Sequence, residues 1–377
     1  MSKSMMSIAS TFVEDQWPGM VAAAGAIAAF AALRATLSYF GTKYSDTSAT
    51  QLCTPHRELD NKSSMGEWTK YDKHFQQNKG EGIDLAAKAD TPGMVDTFYN
   101  LVTDIYEWGW GHSFHFSPGV KGASYADHSR LHEEALADAI DLKEGMTALD
   151  AGCGVGGPLL NIAKHSKASV TGITINEYQV NKANGYIAKS KLPGTCRVVQ
   201  GNFLEMPFED NSFDAAYSIE ATCHAPELVE VYKEIFRVLK PGQKYATYEW
   251  VTTHLYDKSN PYHVEIIDKI CHGNALPELR TYQEAIDAAK EAGFEVVLER
   301  DVAPPPSLPW WTRLAMGKLE YNLNRIVVGV LCALRLAPKG TNEVHNMLVN
   351  VAHWLMLGGK TGIFTPMHLI VCKKPEN

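Results

Sequence analysis

The sequence predicts an α/β fold with a doubly wound, mostly parallel, seven-stranded sheet at its centre. Two features of the chain point to it. From about residue 131, apolar runs of strand length alternate with stretches of helical period, the order that puts helices on both faces of a parallel sheet. The first of those runs ends in a glycine-rich turn, Gly152-Cys153-Gly154-Val155-Gly156-Gly157, with Pro158 positioned to open a helix.

Leu131, Ala135, Leu136, Ala139 and Ile140 share one helical face ahead of the sheet. Residues 147–150 form the first strand and 169–174 the second, followed by a helix over 177–190. Residues 197–200 and 213–219 supply two more strands. A helix over 227–240 stops at Pro241-Gly242, because proline lacks the amide hydrogen a helix needs and glycine favours a turn. A fifth strand spans 244–251, a helix 282–292 and a sixth strand 294–299; residues 367–372 provide one more at the C-terminal end.

At 377 residues, with 45 % hydrophobic and 21 % charged, the chain has ample apolar content for a large core. Its 35 Lys and Arg stand against 43 Asp and Glu, and no segment is strongly basic. No nucleic-acid partner is expected, since phosphate neutralisation needs a clustered cationic face. The seven cysteines are scattered, without a Cys-x-x-Cys pair, which reads as free thiols in a reducing compartment. Residues 17–33 carry no charge; Glu14 and Asp15 precede them, and Arg34 and Lys43 follow. Residues 1–42 therefore read as a hydrophobic segment that attaches the chain to a membrane surface, its catalytic bulk in the cytosol by the positive-inside rule. An Ala-rich helix packed on the protein itself is the alternative. Residues 43–90 read as a polar linker, 91–130 as an aromatic segment covering the substrate, 131–302 as the core, and 303–377 as a region completing the sheet. The apolar stretch 326–334 is too short to span a bilayer and is expected to pack in the core.

Three features around the glycine turn narrow its ligand. Asp150 ends the first strand directly before the glycines, residues 207–214 lead into the fourth strand, and Lys240-Pro241-Gly242 precedes the fifth. Asp-x-Gly-x-Gly with these companions resembles the class I methyltransferases. The resemblance implies S-adenosylmethionine as cofactor, with Gly152, Cys153 and Gly154 around its amino-acid part and Asp150 positioning its cationic end. The acid that many relatives carry after the second strand is missing from Gly172-Ile173-Thr174-Ile175-Asn176. Thr174, Asn176 and Gln179 are left to hold the ribose, and Asn202 with Phe203 stands near the expected adenine.

Residues 106–118, including Tyr106, Glu107, Trp108, Trp110, Phe114, His115 and Phe116, are too rich in aromatics and glycines for a plain helix or strand. They read either as an aromatic loop that packs the N-terminal arm onto the core or as a loop over the site whose ring faces meet a cation. This segment, together with 150–158, 172–180, 217–226, 248–253 and 361–367, resembles the sterol 24-C-methyltransferases from about residue 70 to the end, the plant and algal members above all. His112 stands where those members have Gln or Ser. The resemblance implies transfer of a methyl group to C24 of a Δ24 sterol side chain, of the cycloartenol type, in sterol biosynthesis at the endoplasmic reticulum membrane. It is compatible with a homo-oligomer. Attack by the alkene leaves a cation at C25; a hydride then shifts from C24, and a proton leaves the new methyl group. Such a site needs alignment, exclusion of water and cation stabilisation.

Tyr106, Trp108 and Trp110 are the candidates for facing the cation, with Phe114 and Phe116. Glu220 and His224 rank first for taking the final proton and Glu107 next, ahead of Glu249 and His115. His128 and His132, on a polar helix, read as solvated, not as metal ligands, and the chemistry needs no metal. Two alternatives stay open: a methyltransferase of another membrane lipid (a quinone, a tocopherol or an acyl chain), and a non-catalytic membrane-associated protein that binds lipid or cofactor.

Overall fold

A computed structural model of the chain describes residues 91–304, 307–315, 318–333 and 341–376. The expected membrane segment 1–42 and linker 43–90 lie outside the described residues. Among the described residues, no helix is long and apolar enough to cross a membrane.

The strands are β1 (Thr147–Ala151), β2 (Ser169–Thr174), β3 (Arg197–Gln200), β4 (Phe213–Ile219), β5 (Leu239–Thr252), β6 (Arg280–Thr281), β7 (Glu295–Asp301) and β8 (Phe364–Lys373). They form one sheet in the order β3-β2-β1-β4-β5-β8-β7, with β6 against the end of β5. β1 to β5 pair in parallel, whereas β8 enters antiparallel between β5 and β7. The two-residue β6 makes the sheet eight-stranded instead of the seven expected; a dipeptide is too short to carry a strand pattern.

The helices are α1 (Thr91–Trp110), α2 (Tyr125–Ala139), α3 (Gly157–Ser166), α4 (Glu177–Lys189), α5 (Leu228–Val238), α6 (Pro261–Gly273), α7 (Tyr282–Glu291), α8 (Lys318–Ala333) and α9 (Thr341–Thr361). Consecutive strand residues point to opposite faces. Ala148 and Tyr217 join the core shared with α2, α3, α6 and α9, while Leu149 and Ala216 join the one shared with α5 and α7. Helix α5 ends at Val238, and Pro241-Gly242 lies within the opening residues of β5. The helix stops early because Leu239 already pairs with Phe213, and Lys374 Nζ binds the Phe236 and Leu239 carbonyls at 2.7 Å each.

The aromatic segment departs from the loop expected for it. Through Trp110 it completes α1, whose Met94, Phe98, Leu101 and Val102 form a buried stripe at helical spacing. A glycine in the last turn costs about 1 kcal/mol, less than the roughly 2 kcal/mol gained by burying one such side chain. Gly111, at φ 80°, ends the helix in the left-handed conformation. The chain then runs against the start of α3, where a Cβ on Gly157 would collide with the His112 carbonyl.

Two other expectations need correction. His128 and His132 are buried, not solvated: His132 stacks on Tyr248 with ring centroids 3.6 Å apart, and His128 Nε2 bonds the backbone of Val120. The polar-looking α2 packs inward because its buried Glu133 finds partners there, which its sequence does not reveal. Among the described residues no group of three His, Cys, Asp or Glu is arranged to hold a metal. Among the described residues of the stretch 326–334, Val327 is buried while Ile326 and Val330 are 59 % and 41 % exposed, so core packing describes one face of it.

Gly157→Ala should lower stability by about 1–3 kcal/mol, because a backbone carbonyl, not a mobile side chain, occupies the space. Denaturant unfolding of the variant beside the parent protein checks this; equal midpoints would separate the 111–118 loop from α3.

Candidate active site

The turn after β1 is shaped by its glycines. Gly152, Gly154 and Gly156 have φ of 88°, 54° and 83°, which L side chains rarely tolerate. A Cβ on Gly152 would also strike Ala221. The Gly152 and Cys153 amides both donate to the Ile173 carbonyl, at 2.9 and 3.0 Å, tying the turn to β2. Beside it opens a cleft of about 90 Å³. Gly152, Cys153, Gly154, Thr174, Gln179, Asn202 and Phe203 all line it. Thr174 Oγ1 donates to Gln179 Oε1 at 2.8 Å, and Asn202 Oδ1 accepts the Leu204 amide at 3.0 Å, leaving the Asn202 amide nitrogen for a ligand. Side-chain-free backbone, an amide-bearing wall and the apolar Ile175, Phe203 and Leu204 suit the amino-acid, ribose and base parts of an adenosyl sulfonium.

Next to the cleft lies a cavity of about 190 Å³ walled by aromatic and aliphatic side chains from α1, the 111–118 loop, β5, the Trp310–Leu314 turn and α9. Tyr106 meets Phe114 edge-on at 5.5 Å, Phe116 lies 4.7 Å from Trp310 and 6.0 Å from Trp250, and Trp110 lies 6.5 Å from Phe116. Arg313 stacks over Trp110 at 5.2 Å and donates to the Trp110 carbonyl at 3.1 Å, joining the C-terminal region to the end of α1. Tyr99, Phe114, His115, Glu220 and His224 line both spaces.

Polar groups on that shared wall are held firmly. Glu220 Oε1 accepts the Phe116 amide at 2.8 Å and Oε2 the Trp250 Nε1–H at 2.7 Å. Burial pushes the Glu220 carboxyl up to about 8, against the opposing pull of His115 and of those two donors. His115 Nδ1 faces the Phe116 carbonyl at 2.7 Å and Nε2 faces Glu133 at 2.8 Å. Glu133 also accepts from Ser113 Oγ and Asn161 Nδ2, both at 2.6 Å. Burial pulls His115 down, but the bond and charge of Glu133 outweigh it, and its pKa ends above the ordinary histidine value. With both ring nitrogens donating, His115 has no lone pair for a proton. His224 is the opposite case: burial lowers it to about 4, so it is neutral.

Several expected residues are not brought to this wall. Glu107 turns away from both spaces into an ion pair with Lys182 and accepts the Tyr186 hydroxyl at 2.6 Å, which removes it from the candidate bases. Glu249 lies behind the wall, bonded to Thr222 and, at 3.0 Å, to Tyr232. Asn176 caps α4 and donates to Asp96 and Asn100, at 2.8 Å each; its amide holds α1 and lines neither space. Asp150 sits beneath the glycine turn, not on the cleft wall, with burial pushing it up to about 7. Trp108 has its side chain outside the described residues. Sequence reasoning passed over Tyr99, Glu133, Trp250, Trp310 and Arg313, which no local pattern marks.

A family profile described as methyltransferase domain matches residues 149–247, and one described as sterol methyltransferase C-terminal matches residues 311–376. A solved geranyl diphosphate methyltransferase in complex with S-adenosylmethionine shares the fold, with a TM-score of 0.54 over 70 % of this chain and 99 % of that one at 18 % identity. Fold and cleft are those of a class I methyltransferase, an enzyme whose cofactor is S-adenosylmethionine. Arabidopsis thaliana 24-methylenesterol C-methyltransferase 2 is 60 % identical over 295 residues, 78 % of this chain and 81 % of the relative. Cycloartenol-C-24-methyltransferase 1 of Oryza sativa subsp. japonica is 43 % identical over 324 residues, 83 % and 93 % respectively. The chain belongs to the sterol methyltransferase family.

Proposed function

We propose that the chain transfers the methyl group of S-adenosylmethionine to the side-chain alkene of a sterol, at C24. Five side chains carry this reading: Tyr99, Phe114, His115, Glu220 and His224 wall the cofactor cleft and the aromatic cavity at once, so a methyl group leaving one space enters the other away from water. S-adenosylmethionine, when bound, supplies an electrophilic methyl group on a sulfonium. The backbone of Gly152, Cys153 and Gly154 would hold its amino-acid part, Thr174 and Gln179 the ribose, and Asn202 with Phe203 the base. Tyr106, Trp110, Phe114, Phe116 and Trp250 offer ring faces to a cation on the acceptor and keep out the water that would quench it. Glu220 is the base: its carboxylate faces the cavity, His115 is without a lone pair, and a proton beside a carbocation is acidic enough to need only a well-placed acceptor.

The 60 % identity to a 24-methylenesterol enzyme against 43 % to a cycloartenol enzyme favours a second acceptor, a sterol that already bears a 24-methylene group, whose methylene carbon in place of C24 would take the methyl. Residues 1–42 would attach the chain to the endoplasmic reticulum membrane, where such sterols partition, with the catalytic part facing the cytosol; the uncharged run 17–33 supports this.

Incubating the full chain with methyl-labelled S-adenosylmethionine and a panel of Δ24 sterols, 24-methylene sterols, quinones and acyl lipids should place label in the sterols. Label confined to quinones or acyl chains would exclude the sterol reading. Because the Glu220 carboxyl lies near 8, its base form grows as pH rises, so turnover should climb through about pH 8. Glu220→Gln should lack that limb and fall roughly 100-fold or more; an unaltered pH profile would remove Glu220 as base. Deleting residues 1–42 should move the protein from the membrane to the soluble fraction, and unchanged fractionation would put the attachment elsewhere.

A further inference from the structure

Helix α1 passes along both spaces. Thr91, Pro92 and Val95 line the cofactor cleft, while Phe98, Ile105, Tyr106 and Trp110 line the aromatic cavity. Tyr99 lines both, at the point where the helix crosses from one to the other. Its hydroxyl lies 3.1 Å from His224 Nε2, and His224 Nδ1 lies 3.1 Å from the Ala275 carbonyl. A carbonyl only accepts, so Nδ1 carries the ring proton; the neutral ring then leaves Nε2 bare, and the Tyr99 hydroxyl donates to it. The phenolic oxygen keeps its lone pairs for the shared wall. Burial holds the phenol well above its ordinary pKa, so it stays a neutral acceptor.

The other polar groups on the wall are committed differently. Both nitrogens of His115 and both of His224 are engaged. Glu220 is anchored to Phe116 and Trp250, which line the cavity and not the cleft, so its carboxylate serves the acceptor side. Of the five side chains on the shared wall only Tyr99 and Glu220 carry an oxygen, and the neutral one is that of Tyr99.

We propose that Tyr99 is a catalytic residue: its phenolic oxygen accepts C–H···O contacts from the methyl group in transit and aligns it, with His224 as the positioning residue that turns the hydroxyl hydrogen away. Methyl hydrogens on a sulfonium are polarised, which makes them better donors than ordinary C–H groups. The inference rests on the cofactor cleft and not on the sterol acceptor.

Calorimetry on the full chain tests it without turnover. S-adenosylhomocysteine lacks the methyl group, so Tyr99→Phe should weaken S-adenosylmethionine about 2- to 5-fold, the factor a contact of this kind supplies, and leave S-adenosylhomocysteine unchanged. Binding of the latter reports an intact cleft in the same experiment. Equal losses for both ligands, or none for either, would overturn the assignment. His224→Leu should reproduce the selective loss, and the double variant should bind no more weakly than Tyr99→Phe alone; additive losses would overturn the positioning role. In turnover, kcat should fall while KM for the sterol holds.

Discussion

The Glu220 carboxylate binds two N–H groups from distant parts of the chain, the Phe116 amide at 2.8 Å and the Trp250 indole at 2.7 Å, and the walls of the site are arranged around those bonds. Glu220 directly follows β4 in a left-handed conformation, φ 54°, which a side chain of its size keeps only when its surroundings over-determine it. Its own amide donates to the Tyr248 carbonyl at 2.9 Å. A buried carboxylate without donors would be very unfavourable, so its position obliges the 111–118 loop and β5 to meet it. Phe116 and Trp250 arrive on those two elements, and Trp310 and Phe364 pack on them in turn. One ionisable group thereby sets the place of the rings.

The remaining charges are kept off the reacting region by pairing. Glu133 takes hydrogens from Ser113, His115 and Asn161, so the imidazolium of His115 is neutralised from behind while its ring stays on the wall. Glu107 is matched by Lys182 on α4. What lines the cavity is then mostly aromatic and aliphatic surface, one carboxyl and neutral polar groups, among them Tyr99, His224 and Asn274. That suits a positively charged acceptor: rings and a single carboxylate stabilise it, whereas a free lysine or arginine head would repel it. Arg313 does line the cavity, but its guanidinium is stacked on Trp110 and Tyr125 and bonded to backbone carbonyls.

Much of the cofactor side was readable along the chain. Gly152, Gly154 and Gly156 occupy left-handed backbone positions that glycine fills far more readily than other residues, so the demand shows in residue type. Thr174 and Gln179 reached the cleft because their offset from the end of β2 sets their direction. Asn176, only two residues from Thr174, went elsewhere, drawn into the α4 cap by Asp96 and Asn100 about 80 positions earlier. Glu107 and Glu220 illustrate the same limit. Both are buried glutamates in aromatic surroundings, yet one meets Lys182 and the other meets an amide and an indole.

By itself, then, the sequence determined the alternation of strands and helices, the turn that receives the cofactor and the stock of rings and acids from which the site is made. Those follow from periodicity and from backbone conformations that single residues impose. Only the tertiary structure decided that residues 91–110 are helix throughout, that Tyr99 stands where cleft and cavity meet, and that Glu220, not Glu107, lines the cavity. Those outcomes hang on pairings between groups tens of residues apart, where burial selects the partner and no neighbour in the chain records the choice.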